Sequence, residues 1–254
     1  MPPTLGRHRD HGLMDPATHV DHLEAEGARV VAAASRCTGQ EAVAACPGWD
    51  VDQLLRHLAT VHEWSRRAVV GGGAKPPPRR PLEADAPADH TSLVAWYAEL
   101  HRRLVDELRD ADPDAACWQM WSGPDGPAYW ARRQAHETAV HRIDVEIAAD
   151  RPTPLDAGLA VDGIDELMML VPRLLPVTEP HTVYHLLATD TGDSWRVVAG
   201  PELTTVERGH SAEGVQVSGS AADLYAFCWN RRPGTTPVVS DPSQWEVWRG
   251  SVQV

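Results

Sequence analysis

The stretch from Tyr129 to Asp150, YWARRQAHETAVHRIDVEIAAD, constrains the fold of this chain more than any other. It contains no Gly or Pro, and Pro127 stands just ahead of it, so it predicts one helix of about six turns. Ala135, Ala139, Val140, Ile143 and Ile147 form an apolar stripe at helical spacing, which faces a core. Beside the stripe lie Glu137, His141 and Asp144, at i, i+4 and i+7. A carboxylate and an imidazole one turn apart on the same side can close on one ion, and Glu137 and His141 are read as two arms of a metal site. The same spacing also suits a solvated acid–histidine pair, so other parts of the chain have to decide between the two.

At 254 residues the chain is long enough for two ordinary domains, and its 43% hydrophobic and 23% charged content is that of a globular protein. A formal charge of −13 argues against a nucleic-acid partner, which needs a basic face. No apolar run approaches the ~20 residues of a membrane span, and the N-terminus lacks the apolar segment of a signal peptide. Cys37, Cys46, Cys117 and Cys228 are scattered with no C-x-x-C pair, and read as reduced, incidental thiols of a cytoplasmic protein. Ten Trp stand against one Phe, a choice that suits large cavity walls with a polar handle.

Residues 1–14 are polar and are expected to be a disordered tail. A first helix starts at Asp15 and Pro16 and runs to about Ser35, weakened by about 1 kcal/mol at Gly27. A second runs from Asp50, with Gln53 in the capping-box place, to Gly71. Residues 75–87 are Pro-rich and read as an extended surface loop. A third helix is capped near Asp89 or Thr91, and the loop 110–126 carries Trp118, Met120 and Trp121, apolar residues dense enough to line something. With the helix of the opening paragraph this makes an antiparallel four-helix bundle over 15–150. Beyond it come a helix from Leu155 to about Leu170, a hairpin around D-T-G-D, strands over 202–208 and 215–218, and a helix with Ser220 as N-cap carrying Leu224, Phe227 and Cys228 inward. Trp245–Val254 is a last strand or short helix. The fold class is therefore α+β, with a small α+β domain over 155–254.

A catalytic zinc takes three protein ligands and keeps a fourth position open. Beside Glu137 and His141, the third can come from His57 or His62 on the second helix, or from His101 on the third. His57 and His62 are five residues apart and cannot both point into one site. The helical wheel slightly favours His62, and pattern alone goes no further.

The segments C-P-G-W-D-V-D-Q-L-L-R-H-L-A (46–59) and W-A-R-R-Q-A-H-E-T-A-V-H-R-I-D (130–144) together resemble the mycothiol-dependent maleylpyruvate isomerase family, of the DinB-like four-helix metal-binding group. The segments V-S-G-S-A-A-D-L-Y-A-F-C-W-N-R-R (217–232) and D-T-G-D-S-W (190–195) are similar to its C-terminal domain. The resemblance covers nearly all of 15–254. It implies His57, Glu137 and His141 as ligands of zinc or another divalent metal, overruling the wheel on His62. It implies Arg231, with Arg232 as the adjacent alternative, as the residue that binds or polarises substrate carboxylates; Arg231 and Trp121 become candidate contacts for the thiol. It also implies mycothiol, the thiol of actinobacteria, as cosubstrate, activated as a zinc-bound thiolate for addition to an electrophile, with a cis–trans isomerase or an S-transferase as outcome. Asp144 is a candidate for orienting His141. Neither nucleic acid nor membrane is an expected partner, and the protein is a monomer or dimer. The alternatives are a thiol-independent metal hydrolase, and a non-catalytic stress protein whose metal is closed by His62, His101 or His136.

Overall fold

A computed structural model describes residues 14–121, 123, 125–175, 181–200, 202–232 and 234–252. The expected tail lies outside them apart from Met14, as do residues 253 and 254 of the last expected element. The first half comprises α1 (Pro16–Ala34), α2 (Val51–Val70), the single turn α3 (Arg80–Glu83), α4 (His90–Asp110) and α5 (Pro127–Ala148).

Local chemistry sets the helix ends. Asp50 and Gln53 make the reciprocal capping box expected for α2. Asp89, not Thr91, caps α4 by accepting from the Ser92 N–H. Asp150 sits at φ 54° beyond α5, and the Arg151 N–H donates to Glu146 O at 2.9 Å, so the helix closes in a Schellman turn. The loop expected to be extended over 75–87 contains α3, because a proline in its first turn carries the φ a helix needs.

Side-chain pairs give the helix directions. His57 reaches Glu137 and His141 while Trp64 reaches Trp130, so α2 and α5 are antiparallel. The same holds for α1 and α4, joined by Arg109 to Asp21 at one end and by His90 to Ala34 O at the other. In contrast, α1 runs parallel to α5, through His19 with His136 and Glu26 with Arg142, and α2 parallel to α4, through Asp52 with His90 and Arg66 with Glu107. The connection 71–89 is long because it must return the chain to the end where α2 began.

The second half comprises α6 (Ala157–Leu174), β1 (Thr182–Ala188), β2 (Ser194–Ala199), β3 (Thr204–Arg208), β4 (Val215–Gly219), α7 (Ala221–Cys228), β5 (Val238–Val239) and α8 (Pro242–Ser251). The sheet order is β3-β2-β1-β4-β5. The expected hairpin pairs Thr182 with Ala199 through Leu187 with Ser194, and β4 adds to β1 in parallel. Phe227, expected inward, is only half-buried and stacks flat on Trp245 at 4.9 Å. The final segment is a helix: Asp241 caps it, and Trp245 and Trp248, three residues apart, are both buried against Tyr184. One apolar cluster runs from Val20 and Trp130 of the bundle to Tyr184 and Trp248, and a second fills the bundle around Leu54, Leu58, Leu93 and Tyr97.

Two sequence expectations need correction. Helix α5 does not have one apolar face and one polar face: Arg132, Arg133, His136, Arg142 and Glu146 are as buried as its alanines, because α1, α2 and α6 enclose it. Gly27 is not merely a weak point, since a Cβ there would stand 2.2 Å from the His101 ring. That ring stacks on Tyr97 at 5.8 Å and lies 5.2 Å from His62, so it cannot swing aside. Gly27→Ala should therefore lower stability by about 1–3 kcal/mol in urea unfolding, although helix propensity alone would raise it by about 1 kcal/mol.

Candidate functional site

The turn ahead of α2 begins the site. The Trp49 N–H donates to Cys46 O at 2.9 Å and Gly48 has φ 86°, which with Pro47 before it gives the order and sign of a type II turn. This turn holds the Trp49 ring 5.1 Å from the ring of His57, which lies in the second turn of α2. Opposite, α5 presents Glu137 and His141. His57 Nε2 lies 3.0 Å and His141 Nε2 3.7 Å from the same oxygen, Glu137 Oε1. Arg133 Nη2 donates to the other oxygen, Oε2, at 2.9 Å. Burial opposes ionisation of Glu137, but the hydrogen bond from His57 and the charges of Arg133 and His141 outweigh it and hold the carboxyl well below its usual range.

His141 is oriented from behind. Its Nδ1 donates to Asp144 Oδ2 at 2.9 Å, which leaves Nε2 as the nitrogen facing Glu137. Arg231 in turn grips Asp144, Nε to Oδ1 at 3.2 Å and Nη2 to Oδ2 at 3.1 Å. Burial favours the neutral acid, yet His141 and Arg231 together keep Asp144 below its ordinary value. Arg231 is delivered by the end of α7. Asn230 takes φ 58°, and the Arg231 N–H donates to Ala226 O at 2.7 Å, again a Schellman turn. Its Nη1 donates to Trp229 O at 2.8 Å. The resemblance implied an arginine that binds or polarises substrate carboxylates; here the guanidinium is engaged by Asp144. Arg232 is exposed and not in the wall of the site.

Trp49, His57, Arg133, Glu137, His141 and Arg231 line a cavity of about 1380 Å³, walled also by Trp64, Trp121, Trp229, Val140 and Leu170. His57 and Glu137 keep 24% and 22% of their side chains exposed, enough to be reached from it. Trp121 stands edge-on to Tyr129 at 6.4 Å. Cys46, read from sequence as incidental, lies in the same wall, 3.9 Å from Arg231 Nη2 and 4.0 Å from Asp144 Oδ2. Burial and the charge of Asp144 push its thiol up. Its place in the turn that carries Trp49 was the available signal. The other histidines lie elsewhere. His62 is fully buried and bonded to Thr138 Oγ1 at 3.0 Å, His101 packs on Gly27, and His136 Nε2 bonds Asp162 Oδ2 at 2.7 Å.

The triad suits a divalent metal. Two imidazole nitrogens and a carboxylate oxygen lie within 4.8 Å of one another, and the separations of 3.0 and 3.7 Å bracket the ~3.3 Å edge of a tetrahedron with ~2.0 Å bonds. The cluster of His19, His136 and Asp162 does not suit one, because Arg132 Nε already occupies Asp162 Oδ2 at 2.9 Å.

The depressed carboxyls fix an acid dependence. Asp144 contributes stability that is fully present above its ordinary 3.8 and is lost as pH falls toward its lower folded value. Metal-free Asp144→Asn should therefore be less stable by about 3 kcal/mol at pH 7, and the deficit should shrink below about pH 4, as read from urea midpoints against pH.

Comparison with known proteins adds the lineage. No curated protein sequence is matched. Two solved structures share the fold at a TM-score of 0.63: a mycothiol-dependent maleylpyruvate isomerase at 13% identity, and a histidine-to-alanine mutant of such an enzyme at 12%. In each case 89% of this chain aligns with 93% of the other. The family model described as the mycothiol maleylpyruvate isomerase N-terminal domain matches residues 20–146, which takes in α2 and nearly all of α5. The chain belongs to the mycothiol maleylpyruvate isomerase N-terminal domain family.

Proposed function

We propose that this protein is a metal-dependent enzyme that uses mycothiol as cosubstrate and adds it to an electrophile, as an isomerase of the maleylpyruvate type or as an S-transferase. The observation that carries the reading is the convergence of His57, Glu137 and His141, from two facing helices, on a cavity of about 1380 Å³. A space of that size accommodates a thiol and a second substrate together. Zinc or another divalent metal held by the three side chains supplies the positive charge beside which a thiol ionises near neutral pH.

The roles of the chain's own residues follow from their contacts. Glu137, kept ionised, brings one negative charge to the site, and Arg133 fixes which oxygen faces the two rings. Asp144 sets the tautomer and tilt of His141, and Arg231 holds Asp144 in place. Trp121 and the other indoles exclude water and offer flat surfaces to the thiol's sugar part. His62 and His136 are hydrogen-bonded to Thr138 and Asp162, and His101 is packed between Gly27 and Tyr97, away from the triad, which favours a position left open for substrate over a metal closed by protein. In this reading the bundle over 15–150 provides the ligands, and a domain over 155–254 provides Arg231. The protein works in the cytoplasm, the reducing compartment that its four unpaired cysteines suit.

The test is metal content set against turnover. His57→Ala should lose stoichiometric zinc and mycothiol-dependent turnover of maleylpyruvate or a panel of electrophiles, with the helical circular dichroism retained. His62→Ala should keep its zinc, being a core histidine. Zinc retained by His57→Ala and lost by His62→Ala would overturn the assignment, and turnover without thiol would favour a hydrolase.

A further inference from the structure

Most charges around the cavity are matched, except along one edge. Of the cations in its wall, Arg133 is paired with Glu137 and Glu166, Arg231 with Asp144, and Arg249 with Glu246. Lys75 and Arg79 have no acidic partner among the described residues. Both belong to the 71–89 connection, and each lies over an indole: Lys75 Nζ is 5.6 Å from the centre of Trp118, and the Arg79 guanidinium 5.8 Å from that of Trp64. The two rings touch edge to face at 5.4 Å, and Trp64 Nε1 donates to Pro77 O at 2.9 Å, which ties the connection to α2. Trp64 follows His57 by seven residues on that helix, so this edge lies about 10 Å along the axis from the His57 end of the cavity.

We propose that the cavity is built for an electrophile with an apolar, preferably aromatic, body and an anionic group at its far end, and that Lys75 and Arg79 determine this specificity by receiving the anion. The proposal rests on the thiol-addition reading above and names the second substrate of that same site. Deep in the cavity the nitrogens of Arg231 are taken by Asp144 and Trp229 O, so among the described residues no free cation waits there for a compact dicarboxylate. The sugar part of mycothiol is uncharged, so unpaired cations at the outer edge serve the other substrate. Trp64 and Trp121 give the length between a wall that suits a flat, uncharged body. In the addition the thiol sulfur forms a bond to the β carbon of a conjugated C=C, the π pair moves to the α carbon, and that carbon takes a proton equivalent to the one the thiol gave up.

A matched pair of probes reads the proposal: cinnamaldehyde and its 4-carboxy derivative, each with mycothiol and the zinc-loaded protein. The ratio of kcat/KM should favour the acid by about 3- to 30-fold, the range that two exposed ion pairs supply, and should shrink as salt is raised. In the double variant Lys75→Gln/Arg79→Gln the ratio should fall to about one. A wild-type ratio near one, or a preference that survives in the double variant, overturns the proposal. Binding is read separately by calorimetric titration with biphenyl-4-carboxylate in the absence of thiol, where weaker binding to the double variant supports the anion site and equal binding overturns it. If the wild-type protein turns over neither aldehyde, the thiol-addition reading fails, and the titration still decides the anion site.

Discussion

A helix buried on nearly every side while carrying Arg132, Arg133, Glu137, His141, Arg142, Asp144 and Glu146 must have each charge met by a partner, and this requirement organises the structure around α5. A buried unpaired charge costs several kcal/mol, so the surrounding elements are placed by the partners they bring. From α1 comes Glu26, 2.6 Å from Arg142 Nε. From α6 come Asp162, bonded to Arg132 and His136, and Glu166, bonded to Arg133. From the end of α7 comes Arg231 for Asp144. Both halves of the chain are thus keyed to one helix by charge as well as by their shared apolar cluster.

The same pairs build the site. Glu137 is held from three sides, by His57, Arg133 and His141, and His141 is held through Asp144 by a residue almost ninety positions away. Two local devices make the long reach accurate. The Pro–Gly turn at 47–48 aims Trp49 and Cys46, and the left-handed Asn230 turns the backbone sharply enough after α7 to send Arg231 back into the cavity. A metal site needs its ligands fixed to within about half an ångström, and side chains held through such chains of contacts meet that need.

Much of this could be read from the residues because it depends on local rules. The helix ends at Asp50, Asp89 and Ser220 follow from capping chemistry, and the D-T-G-D hairpin follows from turn chemistry. What could not be read depends on distant segments. The apolar stripe read for α5 gave no sign that its arginines and His136 are buried, because their partners, Glu26, Asp162 and Glu166, lie on other helices with no sequence mark of the pairing. The wheel placed His62 in the core, where it is, but burial alone cannot separate a packed imidazole from a metal-facing one. Family likeness singled out His57, whose position at the edge of the apolar stripe looked like the weaker choice. The parallel course of α2 and α4 was likewise hidden, since loop length shows only that a connection is long. The two-residue β5 is too short to leave a pattern.

The charge of the whole chain bears on the cavity in one more way. At −13 formal units the protein repels an approaching anion, and that field reaches about 8–10 Å through physiological salt. Near His57 and His141 the repulsion is compounded by Glu137 and Asp144, both held ionised. Arg133 and Arg231 cancel those two carboxylates locally but leave no surplus. Among the described side chains, positive potential offered to a substrate, beyond that of a bound metal, must therefore come from cations outside the network, and Lys75 and Arg79 are such cations in the cavity wall. Their setting over indole faces matters here, because an aromatic quadrupole steadies a cation without neutralising it as a carboxylate would. The site is thus divided by charge: a neutralised, rigid end where α2, α5 and Arg231 meet, and a cationic outer edge supplied by the long connection that the parallel helices α2 and α4 require.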